Sequence, residues 1–111
     1  VVILGTRTAA LAARLEARGL SCEASATTHG ATAAIARARP DAIVVSLSAR
    51  LAPKALKALR TSPAARGIPV VFDGSKVTGR ALDGLDVDVV ARSLEELEHQ
   101  LTAGLRARRA A

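Results

Sequence analysis

The sequence predicts an α/β domain: a doubly wound, five-stranded parallel sheet with helices on both faces. Three observations predict it. Strand-like and helix-like stretches alternate five times along 111 residues, a length that suits one domain spanning 1–111. At the centre, Ile43-Val44-Val45 is a continuous β-branched run between Pro40 and Ser46, too short for a helix and apolar at every position. Such a run belongs to a strand buried on both faces. Composition agrees: half the residues are hydrophobic, alanine supplies much of that share, and Phe72 is the only aromatic. Val, Ile, Leu and Ala suit helices packed closely on a parallel sheet.

Each element has its own warrant. Val1-Val2-Ile3-Leu4 is a short buried strand ended by Gly5. Thr6 or Thr8 caps a helix with Leu11 and Leu15 four apart, and Gly19 closes it after Arg18. Ser21 to Thr27 alternates weakly and reads as an edge strand. Thr28-His29-Gly30 reads as a turn, and Ala31 to Arg39 as a helix stopped by Pro40. After the central strand, Leu51 to Arg60 forms a third helix, with Pro53 in its first turn and Leu56 and Leu59 inward. Ile68 to Phe72 is the fourth strand, closed by Asp73-Gly74. Ser75 to Gly84 has too little apolar periodicity for more than one short helix, so a fourth helix there is reduced or missing. Val87 to Val90 is the fifth strand. Ser93-Leu94-Glu95-Glu96 is a capping box opening the last helix, whose stripe is Leu94, Leu97, Leu101 and Leu105, with a tail able to fray beyond Leu105.

Composition also bears on function. The lone Cys22 excludes an internal disulfide and suits a reducing cytoplasm. No apolar run approaches the roughly 20 residues of a membrane span, so no membrane association is expected. Without a signal peptide or an initiator Met, the chain is expected to be a domain of a longer protein. A net charge of +6 raises the question of nucleic acid. Against it, the arginines are scattered over helix faces (Arg14, Arg18, Arg37, Arg39), clustering only at Arg106, Arg108 and Arg109, and no aromatics interleave with them.

Four stretches resemble a known family. Leu15-Glu16-Ala17-Arg18-Gly19, Arg39 to Val45, Leu59-Arg60-Thr61-Ser62-Pro63 with Ile68-Pro69-Val70-Val71, and Ser93 to Leu97 follow the order and intervals of bacterial response-regulator receiver domains. The resemblance covers nearly the whole chain and implies flavodoxin-like topology. Receivers hold Mg²⁺ on two acids after the first strand and phosphorylate an Asp ending the third. A Thr or Ser ends their fourth strand and a Lys their fifth. Hard oxygens serve the metal, the aspartate is the nucleophile, and hydroxyl and ammonium stabilise phosphoryl charge. Here the acid pair is matched by Gly5 and Thr6, and the acceptor by Ser46. The hydroxyl position is Gly74, with Ser75 next to it, and the lysine position is Val90 or Ala91, with Arg92 beyond. The resemblance therefore implies a pseudo-receiver: non-enzymatic, without cofactor or metal, and free of aspartate phosphorylation.

The remaining polar residues each admit a functional and an ordinary structural role. Ser46 is a candidate kinase target or a strand-end serine that satisfies local backbone. Cys22 is a redox thiol or a small packed side chain; nothing near it in sequence lowers its pKa. His29 and His99 lack metal-ligand spacing. Asp86 and Asp88 share one side of an extended segment, and Lys76 follows a glycine turn. The favoured function is binding to a protein partner or to itself, as a homodimer. Its expected face is the fifth strand, the segment before it and the outer side of the last helix, carrying Arg80, Asp86, Asp88, Arg92, Glu95 and Glu98. The alternative is a small-ligand or metal site over the strand ends, where Ser46, Ser48, Asp73 and Ser75 would converge.

Overall fold

The computed structural model describes residues 1–6, 8–47, 51–74, 87 and 89–110, with the side chains of 89 and 104–110 outside the description. Its elements are β1 (Val2–Gly5), α1 (Ala9–Ala17), β2 (Glu23–Ser25), α2 (Thr28–Ala38), β3 (Ile43–Ser46), α3 (Ala52–Thr61), a 3₁₀ turn (Pro63–Ala65), β4 (Val70–Asp73), β5 (Val89–Ala91) and α4 (Leu94–Ala110). Among the described residues the strands form one all-parallel sheet in the order β2-β1-β3-β4-β5. The β-branched run predicted to be central lies in the middle strand.

Strand geometry sends successive side chains to opposite faces, and both faces are covered. Val2, Leu4, Ile43, Val45 and Phe72 pack against Ile35 of α2 and Leu56 and Leu59 of α3. Ile3, Val44 and Val71 pack on the other face against Leu11 and Leu15 of α1 and Leu97 and Leu101 of α4. Each of these side chains is at most about 5% exposed. Fully burying one aliphatic chain of this size is worth about 1.5–3 kcal/mol, so the continuous apolar run is what holds β3 at the centre.

The helix ends follow local chemistry. Gly19 takes φ +85° after α1, donating to Glu16 O at 2.9 Å while Leu20 N donates to Leu15 O at 3.1 Å. These two bonds make the Schellman closure that a glycine there predicts. At α4 the Ser93 Oγ accepts from Glu96 N at 3.1 Å, whereas the Glu96 carboxylate accepts from Arg92 N at 2.9 Å, one residue before the cap.

Several boundaries differ from the sequence expectation. Helix α2 starts at Thr28, not after a Thr28–Gly30 turn, because Thr27 Oγ1 accepts the Gly30 N–H at 3.0 Å and caps it. Gly30 lies in the first helical turn, where a Cβ would press on Ser25 Oγ and Thr27 Oγ1. Strand β4 begins two residues late. The Ile68 N–H is spent on Ala65 O and Pro69 has none to offer, so only its carbonyl joins the ladder, accepting from Ile43 N at 2.9 Å. Strand β5 is likewise displaced to Val89–Ala91. Thr8 is the residue before α1, but its side chain makes no cap bond. Helix α4 spans Leu94–Ala110, its last turns a stretch of strong helix formers. The Ser75 to Gly84 segment, expected to hold a reduced or missing fourth helix, lies outside the described residues.

Candidate functional site at the carboxyl end of the sheet

Parallel register brings Gly5 of β1 opposite Ser46 of β3, and Asp73 of β4 opposite Ala91 of β5. Four strand ends therefore meet, as they do wherever an open α/β sheet builds a site. Across this row Ser46 Oγ donates to Asp73 Oδ2 at 3.0 Å. Asp73 is only 6% exposed, so its carboxylate is buried at the strand ends.

Gly5, where the resemblance would expect an acid, is closed by packing. A Cβ at Gly5 would land on the Ser46 carbonyl oxygen and stand 3.0 Å from the Ser46 carbonyl carbon and 3.1 Å from its Cβ. The obstacle is the backbone of the central strand, so no rotamer change relieves it. Thr6, matched by the resemblance to the second acid, is exposed. Gly74 is buried and its N–H donates to Ala91 O at 2.7 Å, tying β4 to β5 without a side chain. Val90 packs against the α2–α3 cluster, and Ala91 is fully buried on the other face. Arg92 follows, exposed. Ser48, Ser75 and Lys76 lie outside the described residues.

One carboxylate, Asp73, and one hydroxyl, Ser46, stand at the strand ends among these residues, and the two are bonded to each other. No group of three His, Cys, Asp or Glu able to hold a metal occurs among the described residues. His29 and His99 are both exposed, on α2 and α4 respectively.

Of the residues expected on an interaction face, Arg92 and Glu95 are exposed near the start of α4. Arg80, Asp86 and Asp88 lie outside the described residues. Glu98 corrects the expectation. It is 6% exposed and faces α1, where it pairs with Arg14 Nε and, at 3.1 Å, with Arg18 Nη2. The Arg14 hydrogen bond holds the Glu98 carboxyl below the usual carboxylate range, and the same bond raises Arg14. Helical phase explains the placement: Glu98 adjoins Leu97 and stands three residues before Leu101, both on the buried stripe. The signal available in sequence was Arg14 and Arg18, four apart beside Leu11 and Leu15.

Cys22 packs partly buried beside Leu20 and Val1, its thiol 3.8 Å from Leu20 O, and burial pushes its pKa up. Both features belong to a packed side chain and not to a reactive thiolate. Among the described residues no helix is long and apolar enough to cross a membrane. Compared with protein-family models, with curated proteins and with solved structures, the chain matches none.

Proposed function

We propose that residues 1–111 are a receiver-like regulatory domain of flavodoxin-like topology that works by binding a protein partner or a second copy of itself, without phosphotransfer to aspartate. The sheet order 2-1-3-4-5, with helices on both faces, is the flavodoxin-like order and supports the topology. The carrying observation is the strand-end row. The acceptor position is a serine engaged with Asp73, and the first acid position has room only for glycine. A receiver's phosphoryl-accepting site needs a carboxylate nucleophile ending the third strand and acids after the first to hold a metal. This chain has Ser46, Gly5 and Thr6 there, and the row's carboxylate, Asp73, ends the fourth strand.

Amide spectra of the domain with Mg²⁺ and beryllofluoride test the reading. No change at Gly5, Ser46 or Gly74 is expected, and specific shifts clustered at Ser46 would overturn it. The binding face is proposed around β5 and the start of α4, where Arg92 and Glu95 are exposed. Sedimentation at rising concentration, on the parent and on Arg92→Glu, tests it. Strict monomers, with no partner contact mapping to Arg92, would count against that face.

The buried Asp73 favours a second reading, a small-ligand site over the strand ends. A thermal-shift screen with Mg²⁺, phosphate and nucleotides separates the two: stabilisation abolished by Asp73→Asn supports the ligand site.

A further inference from the structure

In a parallel α/β sheet the connecting helices run back against the strands, so their carboxyl ends gather where the strands begin. Arginines stand at these ends: Arg18 after α1, Arg37 and Arg39 around the end of α2, and Arg60 in the last turn of α3. Arg66 joins them in the turn before β4, and all five are exposed. A cation near a helix C-terminus is favoured by the helix dipole, by about 0.3–1 kcal/mol. That accounts for Arg18, Arg37 and Arg60 with no ligand involved.

Arg39 and Arg66 are different. Arg39 takes φ +47° at the end of α2, the left-handed region where an L side chain costs about 1–2 kcal/mol and glycine is the usual occupant. Arg66 follows the 3₁₀ turn and serves no α-helix. Neither guanidinium has a side-chain partner among the described residues. Both line one cleft of about 470 Å³ between the end of α2 and the Pro63–Ala65 turn. Ile35, Ala64 and Ile68 give it an apolar lining, and Asp41 stands on its wall.

We infer that this cleft binds an extended acidic peptide segment of a partner protein. Arg39 and Arg66 pair with its carboxylates, and an apolar side chain between them rests on the Ile35–Ala64–Ile68 lining. Guanidinium forks match carboxylates with two parallel bonds, and the apolar lining adds contact that a simple charged surface would not. Nucleic acid is the less favoured polyanion. Asp41 inside the cleft and Glu23, paired with Arg37 at the start of β2, interrupt any track for phosphates. The one aromatic, Phe72, is fully buried and offers no stacking surface. A short peptide meets the cleft at the two arginines and does not need the continuous track that a phosphate backbone follows.

The inference rests on the reading of the chain as a binding module, but the site lies at the opposite end of the sheet from Ser46. Beryllofluoride shifts at Ser46 would overturn the pseudo-receiver reading and leave this cleft untouched. The probes are acetylated, amidated Glu-Glu-Leu-Glu-Glu and its Lys-Lys-Leu-Lys-Lys counterpart, titrated into the ¹⁵N-labelled chain. Saturable shifts are expected at Ile35–Asp41 and Ala64–Ile68 with the acidic peptide alone. Arg66→Glu and Arg39→Glu should each weaken binding about tenfold, the loss of one charge-assisted pair. Lys54→Glu, an equal change of net charge in the first turn of α3, should change it less than about twofold, since exposed charges beyond a Debye length are screened. Thermal unfolding of each variant verifies that it is folded. No cleft shifts at millimolar acidic peptide would overturn the inference, as would an equal loss in Lys54→Glu. Tighter binding of a short DNA duplex to the same residues would overturn it in favour of a polyanion surface.

Discussion

Replacing Gly5 by alanine should destabilise the domain, although alanine is ordinarily the better residue in a strand. The favourable part is entropic: removing a glycine from a strand interior is worth about 0.5–1 kcal/mol. Against it stands the contact with β3. The new methyl would press on the Ser46 carbonyl oxygen, with two further Ser46 atoms at 3.0 and 3.1 Å. Two of those three atoms are backbone, in a strand whose Ile43, Val44 and Val45 are fully buried and paired on both sides. Relief must come from parting β1 and β3, at an overpacking cost of about 1–3 kcal/mol or more. A net loss of about 1–2 kcal/mol is expected. It is measurable against the roughly 5–15 kcal/mol available to a domain of this size. Urea unfolding followed by circular dichroism reads it directly. Gly5→Asp should lose more, because it adds a buried carboxylate. The double variant Gly5→Asp, Ser46→Asp should accordingly fail to yield a folded Mg²⁺ site. Gly5→Ala within about 0.5 kcal/mol of the parent, or above it, would refute the steric account.

Three further outcomes are expected. Leu97→Ala should cost about 2–5 kcal/mol, since Leu97 is fully buried against β1, β3 and β4 side chains; a loss below about 1 kcal/mol in urea unfolding would make α4 peripheral. The Glu98 ion pairs should give acid sensitivity: a carboxyl lowered in the fold contributes stability that is complete above the ordinary glutamate value and lost as pH falls through its lower folded value. Glu98→Gln should flatten that acid limb of a Tm-versus-pH curve, and an unchanged limb would mean the pairs with Arg14 and Arg18 are not formed in solution. Arg39→Gly should raise stability by about 1 kcal/mol by relieving the left-handed backbone, read as a higher urea midpoint, and a lower midpoint would show that the Arg39 side chain contributes to the fold itself.

Much of the architecture is legible from local pattern. Ile43-Val44-Val45 has no polar position to turn toward water, so a strand covered on both faces is the only economical home for it. Gly19 and Ser93 mark helix ends because the bonds they permit close within a few residues of themselves. Boundaries slipped where a local signal had two uses. Thr27, Thr28 and Gly30 suit a turn as well as a capped helix, and the bond from Gly30 N to Thr27 Oγ1 chooses the helix. Pro69 sits inside an apolar run but cannot donate to the ladder, which delays β4.

The strand-end row and the seam between α1 and α4 required the tertiary structure. Ser46 and Asp73 are 27 residues apart, and Arg14 and Glu98 are 84 apart. Neither separation carries a periodicity that sequence could report; strand order brings the first pair together and the shared face of the sheet the second. Glu98 looked like an outward acid because its charge argued for solvent, yet its helical phase turns it toward two arginines that no local pattern links to it. Gly5 carries the same lesson. In sequence it only ends a strand, and the reason no side chain fits there is the backbone of another strand about forty residues away, brought within contact by parallel pairing.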